Sequence, residues 1–431
     1  MNPAKFLTCL CLFLAAAPTH AGPTIESWQT SSGARVLFVE NHSLPIVDVQ
    51  VDFAAGTAHE AEGKAGVASL TQALVDLGVS GMDETQIANR MADLGAQLSG
   101  GVDTDRASLR LRTLSMADKR GPALDMLTAI LSRPTFPAEV LEREKARTVA
   151  ALKESLTRPD VIASRAFWAA LYPAHPYGRQ ATPDSVKAIL RDDVIAFHRA
   201  NYSGSQATVA IVGDLSRAQA ASVAEQLTAG LPSGGAMAGI PIVQLPAGGE
   251  QRIAHPALQA HLLLGLPALR RGDPDFFALA VGNYSLGGGG FVSRLMKEVR
   301  DKRGLAYSVH SYFLPLQQLG PFQIGLQTKK AQASDALRVS REVLADFLAQ
   351  GPTEAELQAA KQNLIGSFPL RLDSNRKILE NVAMIGFYGL PLDYLDRYPE
   401  TIERVTAVDI KAAFARHVRP EHLVTVVVAG E

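Results

Sequence analysis

The sequence predicts an α+β fold of two homologous domains, each a mainly antiparallel sheet packed with helices, joined by a linker. Strand-like segments come in pairs and helical segments in runs, a pattern that favours α+β over a parallel doubly wound sheet. A stretch rich in Gly, Pro and small residues, 230–250, is typical of a linker and divides the chain into halves of similar length. The chain has 431 residues, which is enough for more than one hydrophobic core.

An internal repeat supports the two-domain prediction. Residues 192–213 and 409–430 align without a gap at a shift of 217, and each copy is predicted as a short helix, a loop and a strand that ends in Gly. Upstream, residues 136–156 and 351–370 correspond loosely as long helices with acidic first turns. Two matches in the same order indicate duplicated domains, which we place at 22–229 and 251–431.

The elements of the first half follow from hydrophobic periodicity. Alternation predicts strands at 34–41, 45–56, 96–103 and 107–114. Between them, Val67, Leu70, Leu74 and Leu77 recur at helical spacing. Long helices are predicted from about Met116 to Leu171.

The N-terminus is typical of a secretory signal peptide. Lys5 precedes an apolar stretch from Phe6 to Ala17, and cleavage after Ala21 would remove residues 1–21. The apolar run is shorter than the ~20 residues that span a bilayer, so a membrane anchor is the weaker alternative. We therefore expect a periplasmic or secreted protein. No later stretch predicts a membrane span.

The charge and the cysteine content argue against a nucleic-acid partner and against disulfide bonds in the mature chain. The formal net charge is −1, whereas nucleic-acid-binding domains usually carry a basic excess. No nucleic-acid partner is therefore expected. Both cysteines, Cys9 and Cys11, lie in the predicted signal peptide, so the mature chain would contain none and would be stable without disulfides.

A run of four glycines, Gly287, Gly288, Gly289 and Gly290, precedes a basic segment at 294–303 and an alternating strand that begins near Tyr307. A phosphate loop would require Lys-Ser or Lys-Thr after the glycines, and a dinucleotide loop would require a further Gly in the pattern; neither is present. Two interpretations remain open. The run is a tight turn before a helix, or a loop that lets an extended peptide approach the backbone.

The segment SRLMKEVRDKRGLAYSV resembles the second domain of the pitrilysin/insulinase family, zinc peptidases with an inverted H-x-x-E-H motif, and most of all the branch of the mitochondrial processing peptidase. The resemblance covers nearly all of the mature chain. It implies a clam-like half chamber around unfolded peptide, with Arg300 and Tyr307 donating hydrogen bonds to the substrate, and a substrate contact for Gly287 to Gly290. Arg303 is nearer to Tyr307 in sequence but is expected to be secondary. Further matching segments are 62–70, 175–189 and 209–215.

The same resemblance places the zinc motif on the first helix, where its residues are absent. Ser69 stands for the first His, Gln72 for the Glu and Ala73 for the second His. The third ligand position falls within 149–152, which are apolar, and Glu154 is out of register. Neither H-E-x-x-H nor H-x-x-E-H occurs in the chain. We therefore expect no metal or other cofactor in this chain.

In two-chain members of the family that this sequence resembles, one subunit holds zinc and the other supplies the Arg/Tyr pair. The resemblance therefore implies that this chain is the noncatalytic subunit of a periplasmic heterodimeric zinc metallopeptidase. In this hypothesis the zinc belongs to a homologous partner subunit, and the chain is active only with that partner. One alternative is a structural or peptide-binding homologue with no role in catalysis. Another is an independent peptidase with a relocated metal site.

Overall fold

The computed structural model describes residues 22–233 and 239–430. The predicted signal peptide, and residues 234–238 of the predicted linker, lie outside the described residues. In chain order the strands of the first half are β1 (Glu26–Gln29), β2 (Arg35–Glu40), β3 (Ile46–Phe53), β4 (Gly78–Val79), β5 (Met82–Asp83), β6 (Gln97–Val102), β7 (Ala107–Leu114) and β8 (Thr208–Gly213). Those of the second half are β9 (Gly249–Ala254), β10 (Gln259–Leu269), β11 (Ala306–Phe313), β12 (Gly320–Lys329) and β13 (Val424–Ala429).

The two halves form two sheets of the same topology. The first has the order β1-β2-β8-β3-β7-β6 and the second β11-β12-β10-β13-β9, while β4 and β5 form a separate hairpin. Each sheet contains one parallel pair, β2 with β8 and β9 with β13, and its other pairs are antiparallel. Strand β1 of the first sheet has no counterpart among the described strands of the second sheet. The prediction of mainly antiparallel sheets is confirmed.

Helices fill the connections in the same order in each half. The first half contains α1 (Val67–Leu74), α2 (Glu84–Asp93), α3 (Ala117–Ser132), α4 (Ala138–Ser155), α5 (Pro159–Leu171), α6 (Pro183–Lys187), α7 (Arg191–Asn201) and α8 (Arg217–Thr228). The second contains α9 (Phe276–Asn283), α10 (Ala333–Gln350), α11 (Glu354–Gly366), α12 (Asn375–Tyr388), α13 (Tyr398–Arg404) and α14 (Ala407–His417). Among the described residues, no helix has both the length and the apolar character needed to cross a bilayer.

The repeat is real, but the predicted shift of 217 is wrong by one residue. Helix α7 begins at Arg191 and α14 at Ala407, a shift of 216 (407 − 191), and α3, α4 and α5 precede α10, α11 and α12 by the same distance. The capping residues agree, because Asp193 and Asp409 each occupy the third helical position and accept from the N-cap backbone. The identical letters at 217 therefore do not mark equivalent positions.

One helix of each half packs against the sheet of the other half. Helix α5 contributes Phe167 and Leu171 to a core with Val426 and Val428 of β13. Helix α12 lies across β2, β3 and β8 of the first sheet. At Gly386 it approaches so closely that a Cβ would overlap the side chain of Leu37. This reciprocal exchange joins the two domains and was not predicted from the sequence.

The predicted linker region is packed rather than free where it is described. Residues 239–248 contain neither helix nor strand, and β9 begins at Gly249, inside the predicted range 230–250. Ile240 and Val243 are buried in the same core as α5. This part of the connection is therefore held against the joint between the domains.

Candidate functional site

Helix α1 carries the three positions of the missing zinc motif on one side. Ser69 and Ala73 are exposed and Gln72 is half-buried, while Leu70 and Leu74 face the core. This arrangement follows from the spacing of three and four residues along a helix. The local fold implied by the resemblance is therefore present, although the ligand chemistry is not.

The start of α1 is fixed by glycine and by a buried carboxylate. Gly66 adopts a φ of 106° at the N-cap, and Glu60 Oε1 accepts hydrogen bonds from the backbone N–H groups of Gly66 and Ala68 at 2.9 Å each. Arg179 Nη1 donates to the Glu60 carbonyl at 2.7 Å. Burial dominates the electrostatics and raises the pKa of Glu60 to about 7, against the opposing effect of the two backbone N–H groups.

Gln72 has a structural role that requires no metal. Its Oε1 accepts a hydrogen bond from Tyr202 Oη at 3.2 Å. Its amide lies over Gly100 of β6, where a Cβ would overlap Nε2. Burial raises the pKa of Tyr202, so this phenol stays protonated and acts as the donor. Gln72 therefore links α1 to the end of α7 and to the edge strand of the first sheet.

The residues at the expected zinc site do not fit the metal. Ala73 has no donor atom and Ser69 is a poor zinc ligand. On α4, Val149 is buried in the core and Leu152 packs against it, so neither position offers a third ligand. Glu154 is exposed near the end of that helix. No catalytic step can be assigned to a metal at α1.

Another cluster of potential ligands lies in the second half. Within residues 22–233 and 239–430, the group of His and acidic residues close enough to share a metal ion is Asp273, Asp275 and His417. Both oxygens of Asp275 already pair with Arg416, at 2.7 and 2.8 Å, and one also contacts His417 Nε2 at 2.9 Å. These contacts describe an ion-pair network, so the hypothesis of a relocated metal site gains no support from it.

Arg300 and Tyr307 lie together, as the resemblance implies. Arg300 is in a π-helical turn, Met296–Asp301, and Tyr307 lies in β11 at an irregularity of the pairing with β12. The guanidinium carbon of Arg300 lies 5.7 Å from the centre of the Tyr307 ring and 5.0 Å from that of Phe291. Tyr307 is 87% exposed. A phenol and a guanidinium are thus presented side by side to the solvent.

The neighbouring cations are engaged elsewhere. Arg303 Nη1 pairs with Glu298 at 2.6 Å, and Lys302 Nζ contacts the same carboxylate at 2.6 Å. Arg300 also contacts Asp301 at 3.1 Å, but this pair is largely open to solvent, where such contacts contribute little. That Arg303 is secondary to Arg300 stays a prediction.

The glycine run is more than a simple turn. Gly287 is buried, and a Cβ there would lie 2.7 Å from the backbone N of Ser311. A Cβ at Gly289 would lie 2.6 Å from the Tyr284 carbonyl oxygen, and Gly290 has a φ of 60°. At least three of the four glycines are therefore required by packing or backbone geometry. Gly288 and Gly290 are exposed, and their contact with substrate stays a prediction.

A cavity of about 900 Å³ lies on the second sheet beside Tyr307. It is lined by β10, β11, β12 and the start of α5, with Ser308, His310 and Tyr312 on its β11 side. Burial lowers the pKa of His310. Half of the lining residues are polar and uncharged, and Asp160 is the one acidic residue among them, so the cavity offers peptide groups both polar and apolar contacts.

The comparisons with known proteins decide the family. Residues 35–183 match the family model "Insulinase (Peptidase family M16)" and residues 188–364 match "Peptidase M16 inactive domain". A solved peptidase M16 inactive domain from Pseudomonas fluorescens is 39% identical, with a TM-score of 0.91, and the match covers 94% of this chain and 98% of that one. The chain belongs to the peptidase M16 family.

The relatives in this family include proteins named as zinc proteases and one named as a non-peptidase homologue. A Helicobacter pylori protein named "Non-peptidase homolog YmxG" is 25% identical over 402 residues, 92% of each chain. An uncharacterized zinc protease of Streptomyces coelicolor is 29% identical over 303 residues, 67% of this chain and 65% of its own. Together with Ser69, Gln72 and Ala73, the matches support a noncatalytic member of the M16 family.

The repeat relates the two candidate regions of this M16 chain. In this part of the repeat the shift differs from 216, because α1 and α9 begin 209 residues apart (276 − 67), as do the edge strands β6 and β11 (306 − 97). The positions of Ser69, Gln72 and Ala73 therefore correspond to residues 278, 281 and 282 in α9, which the π-helical turn Tyr284–Gly288 continues. Helix α1 contacts the edge strand β6, and the π-helical turn contacts the edge strand β11. The glycine run therefore follows the helix of the second domain that corresponds to α1.

Three contributors to the site were not recognised from the sequence. Glu60 anchors the start of α1, Tyr202 holds Gln72, and Phe291 packs beside Arg300. The signal for Phe291 in the sequence is its place directly after the glycines and before the basic segment. For Tyr202, 130 residues from its partner, the sequence holds no local signal.

Proposed function

We propose that this chain is the noncatalytic subunit of a heterodimeric zinc metallopeptidase that hydrolyses unfolded peptides outside the cytoplasm. The zinc belongs to a homologous partner subunit, and this chain supplies Arg300 and Tyr307. The observation that carries the proposal is the exposed phenol of Tyr307 beside the Arg300 guanidinium, in a chain whose own motif lacks metal ligands. The secretory N-terminal signal supports a periplasmic or secreted location.

The two side chains suit the charge that develops during peptide hydrolysis. As a nucleophile attacks the peptide carbonyl, negative charge accumulates on its oxygen, and preoriented N–H and O–H donors stabilise that charge. Tyr307 Oη offers one donor, and the Arg300 guanidinium offers several in a planar array. The position of Arg300 over the Tyr307 ring keeps the two groups adjacent before substrate binds.

The adjacent cavity supports an extended peptide as the substrate. Ser308 follows Tyr307 directly and lines the cavity of about 900 Å³ on the second sheet. Strand β11 is also an edge strand, with no neighbouring strand on one side, although at Ser311 that side is covered by Gly287 and by Asn283, which donates to the Ser311 carbonyl. Extended peptides bind such edges through main-chain hydrogen bonds, and side-chain pockets beside the edge add specificity.

A second candidate function is a structural or peptide-binding homologue with no part in catalysis. The packing requirements of Gly287 and Gly289 favour it, because they explain most of the glycine run without a substrate. They do not explain why Tyr307 is held exposed beside a cation. Kinetics in the presence of the partner separate the two functions.

The test is steady-state peptide hydrolysis by the chain reconstituted with a zinc-bearing homologue from the same organism. Tyr307→Phe removes one oxyanion donor and should lower kcat/KM by roughly 100–1000-fold. Arg300→Ala should also lower it, partly through weaker substrate binding. Arg303→Ala is the matched control, since that guanidinium pairs with Glu298, and its effect should stay within a few-fold.

Melting curves of each variant show whether the fold is intact. If Tyr307→Phe and Arg300→Ala leave kcat/KM unchanged in an active complex, the structural alternative is correct. If the reconstituted complex has no more activity than the partner alone, the heterodimer itself is wrong.

A further inference from the structure

A second cavity lies in the same half of the chain, apart from Arg300 and Tyr307. It has a volume of about 280 Å³ and is formed by the turn between β10 and α9 and by the segment that follows α12. Ligand pockets commonly measure about 300–1,000 Å³, so this one is suited to a small molecule. The residues that define its chemistry are Arg271, Asp273, Phe276, Phe277, Tyr394 and Arg397.

Aromatic rings provide the apolar part of the cavity. Phe276 and Phe277 pack edge-to-face with centres 5.3 Å apart, and Phe277 lies 5.7 Å from Tyr394. Burial raises the pKa of Tyr394 to about 12, and the nearby Arg271 opposes this effect. These rings offer a flat apolar ligand a surface of matching shape.

Arg271 is a cation without an anionic partner among the described residues. Its backbone N–H donates to the Leu316 carbonyl at 2.7 Å, which fixes its position, and its guanidinium carbon lies 5.1 Å from the Tyr388 ring centre. Its Nε is buried and forms no hydrogen bond to the described part of the chain. A buried donor without an acceptor costs free energy. Arg271 lines the cavity, and an anion bound there would meet a guanidinium that has no counter-charge among the described residues.

The other charged groups of the cavity each have a contact. Asp273 Oδ1 accepts from the backbone N–H of Asp275 at 2.9 Å and lies 3.7 Å from His417 Nε2, and Asp393 lies 3.6 Å from Arg397. Arg271 is the one charged lining residue whose side chain has no hydrogen bond or ion pair among the described residues. The ligand should therefore carry an anionic group.

We propose that this cavity binds a small aromatic carboxylate. The carboxylate pairs with the Arg271 guanidinium, whose planar array of donors matches it in geometry, and the ring packs among Phe276, Phe277 and Tyr394. No activity of the M16 family or of Arg300 and Tyr307 is needed for this binding. The proposal therefore does not depend on the proposed function.

The test is calorimetric titration of the mature chain with two probes of similar shape. We expect saturable binding of 3-phenylpropionate, and binding of 3-phenylpropionamide at least about tenfold weaker, because a charge-assisted pair contributes that much. Equal affinity for the acid and the amide would overturn the proposal. An absence of saturable binding by 3-phenylpropionate would overturn it too.

Two variants and one control locate the site. Arg271→Gln should weaken binding of 3-phenylpropionate by about tenfold or more, whereas Arg270→Gln, at the exposed neighbouring arginine, should leave it unchanged. Thr401→Phe places a ring in the cavity while Arg271 remains, and should abolish binding. This variant keeps the test decisive if Arg271→Gln melts early. Unchanged binding in Thr401→Phe, or equal losses in the two arginine variants, would contradict the assignment.

Discussion

The joint between the two domains contains a buried carboxylate whose removal should have a large effect. Asp105 is 0% exposed and accepts three hydrogen bonds of 2.8 Å, from Tyr177 Oη, Tyr388 Oη and the backbone N–H of Gln317. Tyr388 and Gln317 belong to the second half of the chain. We predict that Asp105→Ala destabilises the protein and weakens the coupling between the domains.

The magnitude follows from the donors that lose their acceptor. The N–H of Gln317 cannot turn away, whereas the two hydroxyls can rotate to seek other partners. A buried donor left unpaired costs about 1–3 kcal/mol. Against this, burial raises the pKa of Asp105, so the ionised carboxylate carries a desolvation cost that alanine removes. We expect a net loss of about 2–5 kcal/mol for Ala, and about 1–2 kcal/mol for Asn, which keeps one acceptor oxygen.

The assay is urea unfolding at neutral pH, followed by far-ultraviolet circular dichroism and by tryptophan fluorescence. In Asp105→Ala the midpoint should fall, and the two probes should separate if the domains then unfold independently. Asp346→Ala, at an exposed position of α10, is the control and should change stability by less than about 0.5 kcal/mol. If Asp105→Ala costs no more than this control, the carboxylate does not hold the joint.

Three further predictions test other parts of the structure. Glu60 has a folded pKa of about 7, above its ordinary value near 4.5. Its contribution to the free energy of unfolding is therefore fully present below pH 4.5 and is lost as the pH rises through 7. Denaturation at pH 8 should therefore show Glu60→Gln more stable than the native chain by up to about 3 kcal/mol, with little difference below pH 4.5, while the exposed Glu62→Gln shows neither effect. Gly386→Ala should lower the melting temperature by overpacking against the first sheet, at about 1–3 kcal/mol, whereas Gly366→Ala, at the exposed last residue of α11 where a Cβ meets nothing within 4 Å, should raise it slightly. Restoring His, Glu and His at the three degenerate positions of α1 should give weak zinc binding at most, because α4 offers no third ligand; elemental analysis showing one tightly bound zinc per chain would contradict this.

The repeat shows what sequence letters do and do not determine. Its existence, order and elements were predicted correctly, but the alignment by identical letters was displaced by one residue. At 217, Phe197 is matched with Phe414; at the observed 216, Phe414 corresponds to His198, and both of these residues are buried. Packing constrains which positions of a helix face inward more strongly than it constrains the identity of the residue there.

The sequence does not show which surface the buried face of a helix packs against. The periodicity of α5 and α12 shows that each has an apolar side, but it cannot show that each covers the sheet of the other half. The candidate site also has a part that the sequence indicates and a part that it does not. Arg300 and Tyr307 were singled out because they lie in one continuous motif, whereas the packing of Gly287 depends on Ser311 in a strand that follows.

Helix α1 is present although the residues of the zinc motif are absent from it. Helix α1 is held at its start by Glu60 and at its centre by the contact of Gln72 with Tyr202, neither of which involves a metal. Glutamine suits that position, because its neutral amide can pack against the edge strand without the cost of desolvating a charge. Packing therefore accounts for α1 as it stands. It does not account for Tyr307, which is exposed and lies beside the Arg300 guanidinium. The substrate contact proposed for Tyr307 supplies a reason for that position, and the kinetics of Tyr307→Phe test it.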